Sequence, residues 1–167
     1  MNQRGFTLIE LLLVITFIAL IAAFVWTSLI GTGKAQELNN ATRSIGTLLR
    51  DAQQRSITQV DGRYWGMRFL HATAGKRYIV FSATSLPDVG QPPGFATTTD
   101  LFLKPFLEFR DPTPVEGILT IGFKQVTGEW SSPSCPGAGV NSTIIIGIVG
   151  RPDESTIKVY CNGRVEF

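Results

Sequence analysis

Residues 1–30, MNQRGFTLIELLLVITFIALIAAFVWTSLI, decide how the rest of the chain is read. A short polar leader ends in Arg4-Gly5. From Phe6 to Ile30 the only ionisable side chain is Glu10. The 21 residues from Phe6 to Trp26 would rise roughly 30 Å as a helix, the depth of one bilayer core. Trp26 stands where an indole favours the membrane–water boundary. The stretch therefore reads as a membrane-spanning helix over 6–30 with a carboxylate inside it.

That carboxylate is the sharpest chemical signal. A charge in hydrocarbon costs about 2.5–3.5 kcal/mol on insertion scales and tends to mark function. Beyond Arg4, Glu10 has no basic residue near it along its own helix. Cleavage after Gly5 would give Phe6 a new cationic amine, and the amine of a neighbouring subunit would then neutralise Glu10. The plainer alternative is a glutamate close to the headgroups that snorkels or holds a proton.

The run Gly5-Phe6-Thr7-Leu8-Ile9-Glu10, with a basic polar leader before it and an apolar run after it, resembles the class III signal of type IV pilins and type II secretion pseudopilins. The resemblance implies cleavage between Gly5 and Phe6 by a prepilin peptidase and N-methylation of Phe6. It also implies pairing of Glu10 with a neighbour's N-terminus during fibre assembly. Such helices often carry a proline near position 27; here Thr27-Ser28 stands instead, and Gly31 and Gly33 are the alternative weak points. A secretory signal peptide fits less well, because the apolar run is too long and no small-residue cleavage site follows it. A plain signal anchor explains the length but not the Gly5…Glu10 pattern.

The 167 residues suffice for this helix and one soluble domain. Lys and Arg number 15 against 13 Asp and Glu, a balance that gives no argument for nucleic acid or an acidic partner. Arg4 before the apolar run, with no basic residue after it until Lys34, argues for a cytoplasmic N-terminus and an extracytoplasmic remainder. There, Cys135 and Cys161 read as a disulfide, with two unpaired buried thiols as the alternative. Two cysteines and one histidine without CxxC spacing do not make a zinc site.

Residues 34–58 carry apolar or small side chains at helical steps: Leu38, Thr42, Ile45, Leu49, Ala52 and Ser56. The expectation is an amphipathic continuation of the first helix over 31–58, packing one face on a core. After Asp61-Gly62 the period falls to two. Strands are expected at 63–69 (RYWGMRF) and 77–83 (RYIVFSA), around a turn containing Ala74-Gly75. Residues 88–100, rich in Pro, Gly and Thr, read as a loop. Pro105 confines 101–110 to a sheet edge or breaks it. Further strands are expected at 115–124, 142–149 (STIIIGIV, the most apolar) and 155–161, with Asn162-Gly163 as a hairpin turn before 164–167. The fold class is α+β: a long N-terminal α-helix, its first half membrane-spanning, packed on a C-terminal β-rich domain of antiparallel strands. The domains are a 1–5 leader, a 6–30 transmembrane and fibre-core helix, its 31–58 continuation and a 59–167 extracytoplasmic domain.

The order of elements, the 64–69 strand (YWGMRF) and the terminal IKVY…NGRV hairpin resemble the GspH/FimT family of minor pseudopilins and minor pilins. This implies a structural subunit held in the inner membrane and then drawn into a type II secretion pseudopilus or a type IV pilus. Its partners would be other pilin or pseudopilin subunits, prepilin peptidase and an inner-membrane assembly platform. Some members bind DNA through a Gly-Arg-x-Arg tail, and a pilin-like DNA receptor in natural transformation is the alternative reading. Here Glu166 replaces the second arginine of that tail. No enzyme activity, cofactor or metal is expected: His71 is the sole histidine, and there is no P-loop, GxGxxG or calcium-loop spacing.

Overall fold

The computed structural model describes the backbone of residues 7–72, 75–85, 95–111, 118–131 and 141–167, and their side chains apart from 24–32, 71, 72, 75, 131 and 141. Gly5, Phe6, Cys135 and most of the 88–95 loop lie outside the described residues. Helix α1 runs Leu8–Ile57, with helical hydrogen bonding carried through Gly31 and Gly33. The chain divides within this helix into two compact units, Met1–Glu37 and Leu38–Phe167.

In the first unit every side chain from 7 to 23 is exposed, with Leu8 at 81% and Ile9 at 75%. A helix that is apolar all round is at home in a membrane or a protein core, not in water. The threonine at 16 fits that setting, because its Oγ1 donates back to the Leu12 carbonyl at 2.8 Å and needs no water. Among the described residues no helix is long and apolar enough to cross a membrane. The described side chains of the apolar run stop at Ala23, about 25 Å of rise from Thr7.

The second unit is α+β. All six helix residues at the expected spacing, Leu38, Thr42, Ile45, Leu49, Ala52 and Ser56, are buried. Four of them, Leu38, Ile45, Leu49 and Ala52, join one apolar core with the inner faces of two antiparallel sheets. Sheet A comprises β1 (Tyr64–Ala72), β2 (Gly75–Ala83), β3 (Ala96–Phe102), β5 (Ile118–Phe123) and β6 (Trp130–Ser131), in the order β3-β2-β1-β5-β6. Sheet B comprises β4 (Leu107–Asp111), β7 (Asn141–Ile148), β8 (Glu154–Tyr160) and β9 (Val165–Glu166), in the order β4-β7-β8-β9. Period-two alternation puts Trp65, Met67 and Phe69 of β1 opposite Phe123, Ile121 and Leu119 of β5 on the core side. In sheet B, Phe109 faces Ile146 and Ile144 faces Ile157.

Two local expectations change, and the alternatives at Pro105 resolve to one. Gly75 is not in a turn: it pairs with Ala72, so the β1–β2 connection is the two residues 73–74. Residues 96–100, read as loop, form most of β3, because the β-branched Thr97-Thr98-Thr99 run suits an edge strand even with every one of these residues exposed. Pro105 breaks 101–110 rather than merely edging it. The chain leaves sheet A after Phe102 and enters sheet B at Leu107. A bulge between Phe109 and Asp111 then re-aims Arg110 across Gly147. Its guanidinium donates to the Ile148 carbonyl at 3.0 Å and pairs with Glu108 and Glu154, each at 3.4 Å, bracing the β7–β8 turn.

Helix and sheets are stitched by polar side chains as well as by apolar contact. Ser56 Oγ donates to the Phe123 carbonyl at 2.6 Å and accepts from the Trp65 amide at 3.3 Å. Arg50 donates to the Val165 carbonyl at 2.9 Å. Gln53 Nε2 donates both to Gly128 at 2.8 Å and to Gly163 at 2.9 Å, where the ends of sheets A and B meet. The Trp130 amide, bonded to the Cys161 carbonyl at 3.1 Å, closes the same seam.

One turn stores strain. Val126 takes φ 67° between Gln125 and Thr127, whose amide bonds back to Gln125 at 2.7 Å, and its side chain is 64% exposed. A β-branched residue in this region is a backbone outlier. Val126→Asn, which tolerates the left-handed region and loses no buried contact, is expected to raise stability by about 1 kcal/mol. A thermal melt of the full chain in detergent reads this as a rise of a few degrees; a lower midpoint would contradict it.

Candidate functional site

The site begins where α1 begins. The Thr7 carbonyl accepts the first helical hydrogen bonds, from the Glu10 amide at 3.1 Å and the Leu11 amide at 3.2 Å. Thr7 thus sits at the N-cap and Glu10 in the first turn. The T-x-x-E spacing is that of a capping box, a signal the sequence reading passed over. An acid in the first turn also meets the positive end of the helix dipole. The carboxylate is therefore placed by the helix start itself, one turn past the point where a new chain end at Phe6 would lie.

Its electrostatic setting is one-sided. After Glu10 the next basic residue is Lys34, roughly 36 Å further along the helix at about 1.5 Å per residue. Among the described residues of this unit, no cation on the chain comes within ion-pair range. One side of the same helix carries a shallow apolar hollow lined by Ile9, Leu12, Leu13, Thr16, Phe17 and Leu20.

Elsewhere the residues singled out from the sequence take structural places. Cys161 is half-buried against the core, and no cysteine among the described residues is free. The tail arginine, Arg164, lies over the Tyr160 ring at 5.4 Å and pairs with Glu166. Glu166 also accepts from Tyr160 Oη at 2.8 Å, and that bond, with Arg164 and Lys158 nearby, holds its carboxyl below the usual range. The end of the chain thus neutralises its own cation, which does not favour a DNA-binding tail. Trp65 and Tyr78 of the basic-aromatic stretches are buried, and Arg77 pairs with Asp100 at 3.3 Å. Among the described residues no group of three His, Cys, Asp or Glu is placed to hold a metal.

The comparisons with known proteins agree with this geometry. Residues 1–26 match the prokaryotic N-terminal methylation motif. The fold is pilin-like. It is similar to that of the type IV minor pilin FimU of Pseudomonas aeruginosa, at TM-score 0.56 and 18% identity over 80% of this chain and 90% of that one. It is also similar to the minor pseudopilin EpsH from the type 2 secretion system of Vibrio cholerae, at TM-score 0.52 and 18% identity over 78% and 94% of the two chains. No curated protein sequence matches the chain. A methylation motif at the head of a pilin-like fold supports the role of a pilin-type subunit.

Proposed function

We propose that this chain is a minor pilin or pseudopilin subunit, made as an inner-membrane precursor and assembled into a type II secretion pseudopilus or a type IV pilus. The observation that carries the reading is the methylation motif joined to this fold, with Glu10 alone in an apolar helix. In the precursor, residues 6–30 span the membrane and the β-rich unit lies outside. Prepilin peptidase cuts between Gly5 and Phe6 and methylates the Phe6 amine. An inner-membrane platform then moves the subunit into a fibre, where apolar helix faces pack and the amine of a neighbour meets Glu10. The protein acts by assembly rather than by catalysis.

Gly5→Val tests the processing step. A branched side chain at the cut site should leave the precursor intact, with Met1 at its N-terminus by mass spectrometry and no subunit in sheared fibres. A normally cleaved and assembled variant would refute the reading.

The same reading puts the second unit in an oxidising compartment, where Cys135 and Cys161 form a disulfide. Such a crosslink contributes about 2–4 kcal/mol. Alkylation of the purified chain should label both thiols only after reduction. Labelling without reductant would count against the bond.

A further inference from the structure

The outer face of sheet A, turned away from the core, carries a patch that the fibre reading does not use. Cross-strand partners share a face, so the register defines two neighbouring rows on it. The first runs Phe102, Arg77, Leu70, Ile118 across β3, β2, β1 and β5. The second carries Asp100 on β3 and Arg68 on β1, both opposite Ile79. Phe102 is 64% and Ile118 38% exposed, at the two ends of the first row.

The charges in this patch do not balance. Asp100 is taken by Arg77. Among the described residues Arg68 Nε is buried with no acceptor, and the guanidinium lies over the Phe95 ring at 6.0 Å. Burial and the neighbouring Arg77 both push the Arg68 guanidinium below its ordinary pKa. Among the described residues, the two rows hold two guanidiniums and one carboxylate. An arginine half withdrawn from water beside a like charge gains most from one more carboxylate, and apolar residues on both sides of it would exclude solvent from that pair.

We infer that the Phe102–Arg77–Leu70–Ile118 row and Arg68 form a docking surface for a segment of another protein that presents an Asp or Glu flanked by apolar side chains. Arg68 takes the incoming carboxylate, and Phe102 and Ile118 take the flanking side chains. The inference rests on the fibre-subunit reading only in that its partner is a protein of the same compartment.

Photo-crosslinking in the native host tests it, with p-benzoylphenylalanine replacing Phe102 or Ile118 in the full chain and Thr47, exposed on α1, as the control position. Adducts are expected at 102 and 118 but not at 47, and the captured peptide should contain an acid between apolar residues. Arg68→Glu should cut adduct yield about tenfold, the loss of roughly 1.4 kcal/mol of binding. Changing the captured acid to Arg in that background should restore it. Arg68→Gln, checked for trypsin resistance, should lower the yield in the same direction and serves if the glutamate variant does not fold. Yields no higher than at 47, yields unmoved by either change at Arg68 in folded chains, or adducts to lipid or nucleic acid instead of protein would overturn the inference. Adducts are scored independently of N-terminal processing, so a chain that docks but keeps Met1 would sink the fibre reading and leave the surface standing.

Discussion

A chain carrying Glu10→Gln is expected to be cleaved and methylated normally and yet to be nearly absent from fibres. Glutamine keeps the shape and loses the charge. In a fibre packed helix against helix, the neighbour's amine would then be buried with nothing to answer it, at a cost of about 3–5 kcal/mol. At about 1.4 kcal/mol per decade, this is a loss of incorporation on the order of a hundredfold or more. A second effect pushes the same way: removing the charge relieves the penalty of about 2.5–3.5 kcal/mol for holding Glu10 in the bilayer, so the variant is more content to stay there. The measurement is the ratio of the chain in sheared fibres to that in membranes, beside the mass of the mature N-terminus. Unchanged incorporation would show that Glu10 serves only its own helix, as a capping-box acid.

Gly163→Ala is expected to be the most damaging small substitution in the second unit. Gly163 holds φ 85°, which costs an L-residue about 1–2 kcal/mol. Its added methyl would also run into the Gly128 carbonyl and the Gln53 amide, groups already hydrogen-bonded to one another. Overpacking of that kind costs about 1–3 kcal/mol, and each displaced hydrogen bond about 1 more. A total of roughly 3–5 kcal/mol should lower the melting midpoint by at least about 10 °C in a unit of this size. Gly150→Ala is the internal standard: φ is 73° there, but nothing lies within 4 Å of the new methyl. It should lose only the backbone contribution. Equal losses at 150 and 163 would mean that the close approach at the seam contributes nothing.

What could be read in the sequence follows from how local each signal is. The buried stripe from Leu38 to Ser56 is a 3.6-residue pattern, and all six positions are buried. Glu10 stands out because one acid breaks a run of apolar residues. Strand β3 escaped because it is an edge strand: six of its seven residues are exposed, so burial imposes no alternation on it. The hairpin at Asn162-Gly163 was legible as a turn but not as this turn. Its loop takes in Cys161 as well and closes with the Tyr160 amide on the Arg164 carbonyl at 2.9 Å. Arg50 reaches the Val165 carbonyl, a partner 115 residues away that no local pattern marks. Gln53 carries no periodic signal, because its partners lie 75 and 110 residues further along the chain. The docking rows on sheet A likewise depend on the β1–β5 register, which no short window contains.

The seam at Gln53 bears on how the domain is made. Gln53 and its neighbour one turn earlier, Arg50, hold two groups of the β8–β9 hairpin, the Gly163 and Val165 carbonyls. The helix that begins the second unit is therefore latched by residues 115 and 110 positions further along the chain. Such long-range closure is slow. Until that hairpin docks, the Gly163 and Val165 carbonyls lack their helix donors, while Gln53 can still reach Gly128 and Ser56 can still reach Phe123. The contacts between α1 and the β8–β9 hairpin form only when both distant parts of the unit are in place, so their protection from hydrogen exchange reports completed folding of the whole unit.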